Sequence, residues 1–303
     1  MIVKKIDMHM HCSDINEFNL PLSQPHFSTP KDVRLMYDKL GVEKGVLLSS
    51  GAIPECSLNQ MSTRETLAMV NSNKDTIGWW FMPIDPRNVA NSPNSDFSFL
   101  MEHYMSQGAK GISEMCANIP LDDPKMMNLF KYAQKYKLPV TLHFGKNGEG
   151  YGVIDELHLP RLDHVLSAYP ELPILGHSMA FWSELGTDVT KENRHDYLQT
   201  PLTGEGVVAK LMRKHKNLYA DLSAASGYFA LMRNKEYTYS FLEEFQDQIV
   251  YATDIAMSNW IEMPQANLSS FLDNAVEQGK ISQICYEKIC RKNALKLLKE
   301  NNL

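Results

Sequence analysis

The feature of this sequence that most constrains its fold is a regular alternation of short apolar runs and longer amphipathic segments. Each of eight apolar runs ends on or near a polar residue, and neighbouring members of this set lie 29 to 44 positions apart: His11, Ser50, Asp85, Glu114, His143, His177, Asp221 and Asp254. Eight strand–helix units of this length in 303 residues fit a (β/α)8 TIM barrel better than an open, doubly wound sheet. We expect a single domain over residues 1–303, because no linker rich in Pro, Gly or Ser divides the chain.

The apolar runs predict eight strands, over residues 3–10, 44–49, 76–84, 109–115, 138–144, 172–177, 218–222 and 249–253. Helices are predicted between them. Thr29 and Pro30 begin one helix and Gly41 ends it, because a hydroxyl satisfies free N–H groups at a helix start and glycine tolerates the left-handed conformation at its end. Residues 122–124 open a second helix over residues 125–136, and residues 206–215 and 239–245 also have helical spacing.

The composition argues against nucleic-acid and membrane partners. Lys and Arg total 30 and Asp and Glu total 36, a net charge of −6, whereas a nucleic-acid binder carries a basic footprint. The first apolar run is too short for a signal peptide, and no stretch approaches the roughly 18 apolar residues of a membrane span. Five scattered cysteines without a Cys-x-x-Cys pair indicate free thiols in a reducing compartment. We expect a cytoplasmic protein acting on a small molecule. The amphipathic segment 281–298 could cap the barrel or contact a second subunit, so a homo-oligomer is one expectation.

Several of the expected strands end in side chains that bind metal ions. Residues i and i+2 of a strand share a face, so both imidazoles of His9-x-His11 can reach one point inside the barrel. Further strands end in Glu114, His143, His177 and Asp254. Imidazole nitrogens completed by carboxylates suit a borderline-soft divalent ion such as Zn²⁺. The set predicts a metal site at the carboxyl ends of the strands, where barrel enzymes carry out their chemistry.

With these residues the chain resembles a known family. Asp7-x-His9-x-His11 is similar to the opening of the amidohydrolase superfamily. Other stretches resemble its amidohydrolase-related branch, which includes aminocarboxymuconate-semialdehyde decarboxylase and several lactonases. They are Leu35-Met-Tyr-Asp-Lys-Leu-Gly-Val-Glu-Lys-Gly-Val-Leu-Leu48, Met82-Pro-Ile-Asp-Pro-Arg87, Tyr169-Pro-Glu-Leu-Pro-Ile-Leu-Gly-His177 and Asn293-Ala-Leu-Lys-Leu-Leu298. The likeness spans residues 7–298 and implies a metal-dependent TIM barrel more specifically than it implies a reaction.

The resemblance implies a role for each strand-end residue. The family's ligands for one ion, most often zinc, match His9, His11, His143 and Asp254. Manganese or another divalent ion stays open. His177 matches the histidine that orients the attacking water or polarises the substrate.

Glu114 departs from this branch of the family. It resembles a carboxylate of the TatD-type deoxyribonucleases, where it would help to hold a second ion with His143 and His177. The alternative is an acid that contacts substrate or pairs with Lys110. Asp7, beside the histidine pair, is expected to orient a ligand imidazole.

The expected reaction is hydrolysis of a C–O or C–N bond in a small carbonyl substrate such as a lactone, ester or amide. A metal-activated water attacks, Asp254 acts as general base and His177 orients or polarises the reacting groups. Arg87, Lys146 and Arg161 are candidates to bind a substrate carboxylate. The alternatives are decarboxylation of an aromatic or muconate-like acid, a two-metal phosphoesterase or nuclease, and a binding barrel without catalysis.

Overall fold

The structure, a computed structural model, describes residues 1–14, 26–49 and 61–300. Within these ranges the strands are β1 (Lys5–Met10), β2 (Val42–Leu48), β3 (Ile77–Phe81), β4 (Ile112–Met115), β5 (Val140–Gly145), β6 (Val153–Ile154), β7 (Ile174–His177), β8 (Leu218–Asp221) and β9 (Ile249–Val250). The eight predicted strands are confirmed, with shorter or shifted bounds, as β1 to β5 and β7 to β9. The strand-end residue Ser50 lies outside the described residues.

Helices alternate with the strands. They are α1 (Pro30–Leu40), α2 (Thr63–Ser72), α3 (Ser98–Ser106), α4 (Pro124–Tyr136), α5 (Pro160–Ala168), α6 (Met179–Trp182), α7 (Val207–Lys214), α8 (Ala224–Met232), α9 (Lys235–Glu244), α10 (Leu268–Glu277), α11 (Gln283–Glu287) and α12 (Asn293–Leu298). Along the described chain, no helix combines the length and the apolar character needed to cross a membrane.

The strands pair in parallel and close into a ring. One sheet has the order β1-β2-β3 and the other the order β4-β5-β7-β8-β9. A parallel bridge between Met82 and Ile112 joins the end of β3 to β4. On the other side, the Met8 N–H donates to the Tyr251 carbonyl at 3.1 Å, where the segment after β9 meets β1. The predicted (β/α)8 barrel is therefore confirmed.

The sequence does not predict β6. This short strand pairs with Phe144 and Gly145 at the end of β5, directly after His143. The close approach requires glycine, since a Cβ on Gly145 would overlap the carbonyl oxygen of Tyr151. The segment between β5 and β6 therefore folds back onto the carboxyl end of the barrel, next to a predicted site residue.

Two apolar layers hold the barrel together. Inside the ring, Ile6, Met8 and Phe81 are buried with Leu295 and Leu298 of α12. A larger layer fills the space between the strands and the surrounding helices, and each buried aliphatic or aromatic side chain contributes about 1.5–3 kcal/mol. Because α12 packs against residues near the strand starts, the opposite, carboxyl end of the ring is left to the polar strand ends.

The helix boundaries follow their capping residues. Thr29 Oγ1 accepts from the Asp32 N–H at 3.2 Å, and the Asp32 carboxylate accepts from the Thr29 N–H at 2.9 Å. Gly41 ends α1 with a φ of 70°, as predicted. α9 begins earlier than predicted, because the Asn234 side chain caps it by accepting from the Tyr237 N–H at 3.1 Å.

The described cysteines carry free, buried thiols: Cys12, Cys116, Cys285 and Cys290. Cys56 lies outside the described residues. The prediction of a chain without a disulfide framework is confirmed for these four.

Candidate active site

The polar strand ends meet at the carboxyl end of the barrel. His9 lies on β1 with His11 just past its end, Glu114 lies on β4, His143 on β5, His177 on β7, and Asp254 follows β9. His11 Nε2 lies 3.3 Å from Asp254 Oδ1 and 3.5 Å from Glu114 Oε2. The six strand-end residues expected to bind metal or act in catalysis are thus brought together.

A β-bulge in β1 separates Asp7 from the histidine pair. The register between β1 and β2 shifts after Asp7, which breaks the two-residue alternation of side chains. Asp7 accepts hydrogen bonds from Tyr37 Oη of α1 at 2.7 Å and from the backbone N–H groups of His9 at 3.0 Å and Thr253 at 2.9 Å. Asp7 therefore fixes the backbone on both sides of the site, in place of the expected contact with an imidazole.

His9 and His11 present Nε2 to the site because their Nδ1 atoms are already engaged. His9 Nδ1 lies 2.7 Å from Asp221 Oδ2, and His11 Nδ1 lies 3.0 Å from the carbonyl oxygen of Leu48. Ionised carboxylates and carbonyls only accept hydrogen bonds, so both Nδ1 atoms carry a proton and donate. In the neutral rings, two Nε2 lone pairs then face each other across 3.1 Å, an arrangement that a cation bound by both would stabilise.

Two carboxylates surround these nitrogens. Asp254 Oδ1 lies 3.6 Å from His9 Nε2 and 3.3 Å from His11 Nε2. Glu114 Oε2 lies 4.0 Å and 3.5 Å from the same atoms. Four donors about 2.1 Å from zinc at tetrahedral angles would lie about 3.4 Å apart. Two imidazoles and two carboxylates with this spacing fit a divalent ion.

Glu114 also connects the site to two further histidines. His143 Nδ1 donates to Glu114 Oε1 at 2.7 Å, and Tyr151 Oη donates to Oε2 at 3.2 Å. His177 Nε2 lies 3.8 Å from both Glu114 Oε1 and Asp254 Oδ2. Glu114, His143 and His177 therefore form a second group with ligand-like spacing. Two predictions for Glu114 stand: it binds one ion, or it bridges two.

The expected alternative partner of Glu114 is engaged elsewhere. Lys110 Nζ lies 3.1 Å from Glu300 Oε1, at the amino-terminal end of the barrel. Among the described residues, the ion pairs of Glu114 and Asp254 are all with histidines. Within the described ranges, the site thus concentrates carboxylates and imidazoles without an ion pair from Arg or Lys to Glu114 or Asp254.

Strained backbone lies next to the site. Ser178, Ala224 and Asp254 have φ values of 88°, 60° and 58°, which strain non-glycine residues by about 1–3 kcal/mol each. Hydrogen bonds hold all three: the Ser178 hydroxyl bonds the N–H and carbonyl of Phe144 at 3.0 and 2.8 Å, the Ala224 N–H donates to the Thr253 carbonyl at 3.2 Å, and the Asp254 N–H donates to the His9 carbonyl at 2.7 Å. The strain is localised where strands end, at the positions that aim the functional side chains.

Burial and neighbouring charges set the protonation of the site. Burial lowers the pKa of His9, but nearby carboxylates, Asp221 first, outweigh burial and raise it to about 10. Burial and the positive His9 ring lower the pKa of His177 to about 4, which makes its ring neutral at pH 7. Burial raises the pKa of Asp254, but the hydrogen bond with His11 and the other imidazoles bring it below its usual value.

The three predicted substrate-binding cations form ion pairs of their own. The pairs are Arg87–Asp85, Lys146–Glu149, Arg161–Asp122 and Arg161–Glu156. None of these pairs includes a member of the histidine–carboxylate cluster. Their role in substrate binding stays a prediction.

From the sequence, Asp221 is considered as a strand end that could orient another side chain or bind substrate, and Ser223 and Tyr151 are not predicted. The fully buried Asp221 binds His9, and Ser223 Oγ lies 2.8 Å from His177 Nδ1. Tyr151 contacts His143 edge to face, with 4.6 Å between ring centroids. The sequence signal for the first two is an acid and a serine closing an apolar strand. Tyr151 lies on a loop whose path depends on the unpredicted β6.

Comparisons with known proteins add to this geometry. A family model described as "Amidohydrolase" matches residues 6–299. No curated protein matches the chain. Among solved structures, an amidohydrolase from Burkholderia multivorans with bound zinc has a TM-score of 0.63 at 11% identity, over 99% of this chain and 100% of that one.

Two further similar structures are decarboxylases. The 2,6-dihydroxybenzoate decarboxylase from Rhizobium has a TM-score of 0.57 at 15% identity, over 98% of this chain and 99% of that one. A dihydroxybenzoic acid decarboxylase from Polaromonas sp. JS666, with bound manganese and the inhibitor 2-nitroresorcinol, has a TM-score of 0.60 at 16% identity, over 100% of this chain and 98% of that one. At these identities the likeness shows the fold alone.

Proposed function

This chain belongs to the amidohydrolase family, and on that premise we propose that it is a metal-dependent hydrolase of a small carbonyl substrate. The bond cleaved is the C–O or C–N bond of a lactone, ester or amide. His9, His11 and Asp254 hold one ion, and Glu114 completes its ligands. A divalent ion bound there supplies Lewis acidity and activates water. Zinc is the first candidate and manganese the second, since similar structures contain these ions.

This ligand set differs from the one that the family resemblance implies. His143 Nδ1 donates to Glu114 Oε1 at 2.7 Å, whereas the other oxygen of Glu114 lies 3.5 Å from His11 Nε2. We therefore add Glu114 to the ligands and infer that His143, through Nδ1, orients its carboxylate.

The observation that carries the proposal is the placement of Asp254 between the ligand nitrogens and His177. Its Oδ1 lies 3.3 Å from His11 Nε2, and its Oδ2 lies 3.8 Å from His177 Nε2. The Asp254 side chain is 27% exposed, so a reactant can reach its second oxygen. One oxygen can hold the ion while the other accepts a proton, and the neighbouring neutral imidazole can donate to a developing oxyanion. Hydrolysis of a carbonyl compound needs this base and this donor.

The charge of the site favours hydrolysis over decarboxylation. A substrate carboxylate would enter beside two ionised carboxylates that have no Arg or Lys in contact among the described residues. A neutral carbonyl compound brings no further negative charge. Decarboxylation of an aromatic or muconate-like acid is the second candidate, because two similar structures are decarboxylases; there the ion itself would have to bind the substrate carboxylate.

The test uses full-length protein purified without chelator and loaded with zinc or manganese. Panels of lactones, esters, amides and carboxylic acids are incubated in H₂¹⁸O, and ¹⁸O uptake and CO₂ release are measured together. The proposal expects ¹⁸O in the product without CO₂ release. CO₂ release without ¹⁸O uptake would overturn hydrolysis in favour of the decarboxylase.

A matched pair of variants ties the activity to the site. Asp254→Asn removes the base and is expected to reduce kcat by about 10²–10⁴-fold. Asp247→Asn changes an aspartate whose side chain is 67% exposed on the surface and should retain full activity. Equal activity in the two variants would remove Asp254 from the mechanism.

A further inference from the structure

Resting on the proposed function and extending it, we propose that Ser223 is a positioning residue that fixes the tautomer of His177. The Ser223 hydroxyl donates to His177 Nδ1, so the proton of the neutral ring sits on Nε2 and points into the site. His177 is then a hydrogen-bond donor to substrate and not a metal ligand.

The direction of this hydrogen bond follows from the neighbouring His9. Ser223 Oγ lies 2.8 Å from His177 Nδ1 and 3.4 Å from His9 Nδ1. His9 Nδ1 already donates its proton to Asp221 Oδ2 at 2.7 Å, so it has no lone pair to offer. In the part of the chain that the structure describes, His177 Nδ1 is the remaining acceptor for the hydroxyl proton.

The opposite direction is disfavoured by burial. If His177 Nδ1 donated to Ser223 Oγ, the hydroxyl proton would lack an acceptor among the described residues. Ser223 is 0% exposed, so bulk water cannot supply one. A buried donor without a partner is destabilising enough to shift the ratio of tautomers by about fivefold or more.

One turn after β8 sets both imidazoles. The Ser223 N–H donates to Asp221 Oδ1 at 2.9 Å, while the other oxygen of Asp221 holds His9. The next residue, Ala224, keeps a φ of 60°, and its N–H donates to the Thr253 carbonyl at 3.2 Å. In the neutral rings, this turn leaves His9 with a lone pair on Nε2 and His177 with a proton on Nε2, so two similar rings take different chemical roles.

The fixed tautomer has a consequence for the number of ions. The second ligand-like group consists of Glu114, His143 and His177, and it loses one donor atom when His177 Nε2 carries a proton. That proton faces Glu114 Oε1 and Asp254 Oδ2 at 3.8 Å each, too far for a direct hydrogen bond. It is therefore available to a substrate oxygen, and the site holds a single ion.

The direct test is NMR of the full-length, metal-free protein labelled with ¹⁵N-histidine, with the His177 signals assigned by their loss in His177→Gln. The two-bond ¹H–¹⁵N pattern reports which nitrogen carries the proton. We expect the Nε2–H pattern in the wild type and a mixture of tautomers in Ser223→Ala. Ser226→Ala is the matched control, because its buried Oγ has no partner among the described residues, and it should keep the wild-type pattern. An Nδ1–H pattern in the wild type would overturn the proposal.

A zinc titration followed by elemental analysis supplies the second readout. Wild type and Ser223→Ala are both expected to bind one ion per chain. Two ions in the wild type, of which one is lost in His177→Gln, would make His177 a ligand and overturn the proposal. These readouts need no substrate, so a failure of the proposed hydrolysis leaves them unaffected.

With an active substrate, Ser223→Ala should lower kcat by about 10–100-fold with a smaller change in KM. Ser223→Thr, which retains the hydroxyl, should recover part of the loss.

Discussion

The backbone N–H of Asp254 donates to the carbonyl oxygen of His9 across 2.7 Å. The proposed base and a proposed ligand are thus joined main chain to main chain, where the chain after the last strand meets the first. This bond helps to hold Asp254 at a φ of 58°, in the left-handed region that is uncommon for residues other than glycine. The barrel backbone therefore fixes the relative position of these two site residues.

Replacing His11 with alanine is expected to reduce zinc content at least tenfold. His11 Nε2 lies within 3.5 Å of His9 Nε2, Asp254 Oδ1 and Glu114 Oε2, so its loss removes a central donor. Elemental analysis after dialysis against a weak chelator measures the change. His164→Ala, which alters a side chain 60% exposed on α5, serves as the control. Wild-type zinc content in His11→Ala would remove His11 from the ligand set.

Zinc affinity is expected to rise with pH. Although burial opposes it, Asp221 and the other carboxylates raise the pKa of His9 to about 10 in the metal-free site. Below that pH the ring carries a second proton, which an ion must displace from Nε2, so affinity falls as pH falls. One displaced proton corresponds to about tenfold in affinity per pH unit. Calorimetry in buffers of different ionisation enthalpy counts the protons released; zinc binding without proton release would contradict the prediction.

Tyr37→Phe is expected to lower the free energy of unfolding by about 1–3 kcal/mol, because it removes a donor from a buried carboxylate. Tyr37 Oη donates to Asp7 Oδ2 at 2.7 Å, and both residues are 0% exposed. Urea unfolding followed by circular dichroism measures the change. In Tyr239→Phe, the control, the removed hydroxyl has no hydrogen bond among those of the described residues. If the two variants are equally stable, Asp7 does not depend on Tyr37.

At most one thiol per chain is expected to react with a disulfide reagent in the folded protein. Cys12, Cys116, Cys285 and Cys290 are buried, and burial raises the pKa of Cys285 to about 12, which suppresses the reactive thiolate. All five should react after unfolding in guanidinium. Two or more fast-reacting thiols in the native state would show that at least one of these four is accessible.

The barrel could be predicted because its signals are local. Apolar runs of strand length, caps such as Thr29 and Gly41, and polar residues closing the runs can all be read from neighbouring positions. The carboxyl ends of parallel strands meet at one end of a barrel. A cluster that includes His9, His143 and Asp254 therefore follows from the fold itself.

What could not be predicted depends on contacts distant in sequence. The bulge in β1 turns Asp7 toward Tyr37 and away from the imidazoles, and alternation alone does not predict a bulge. The role of Asp221 requires β8 to lie close to β1 in the ring, with β9 between them. Ser223 becomes informative only once the proton of His9 is assigned, and that assignment needs the distances among three side chains.

The joining of His9 to Asp254 also bears on how the protein matures. During synthesis the first strand emerges long before the last, so the proposed ligands from β1 wait for a partner that is made much later. An ion bound by both would link the first strand to the segment after the last one and favour the closed ring over partly folded states. A chain truncated before residue 249 would lack this link, even if its earlier strands had formed. Metal uptake would then report that the barrel strands have all been made and that the ring has closed.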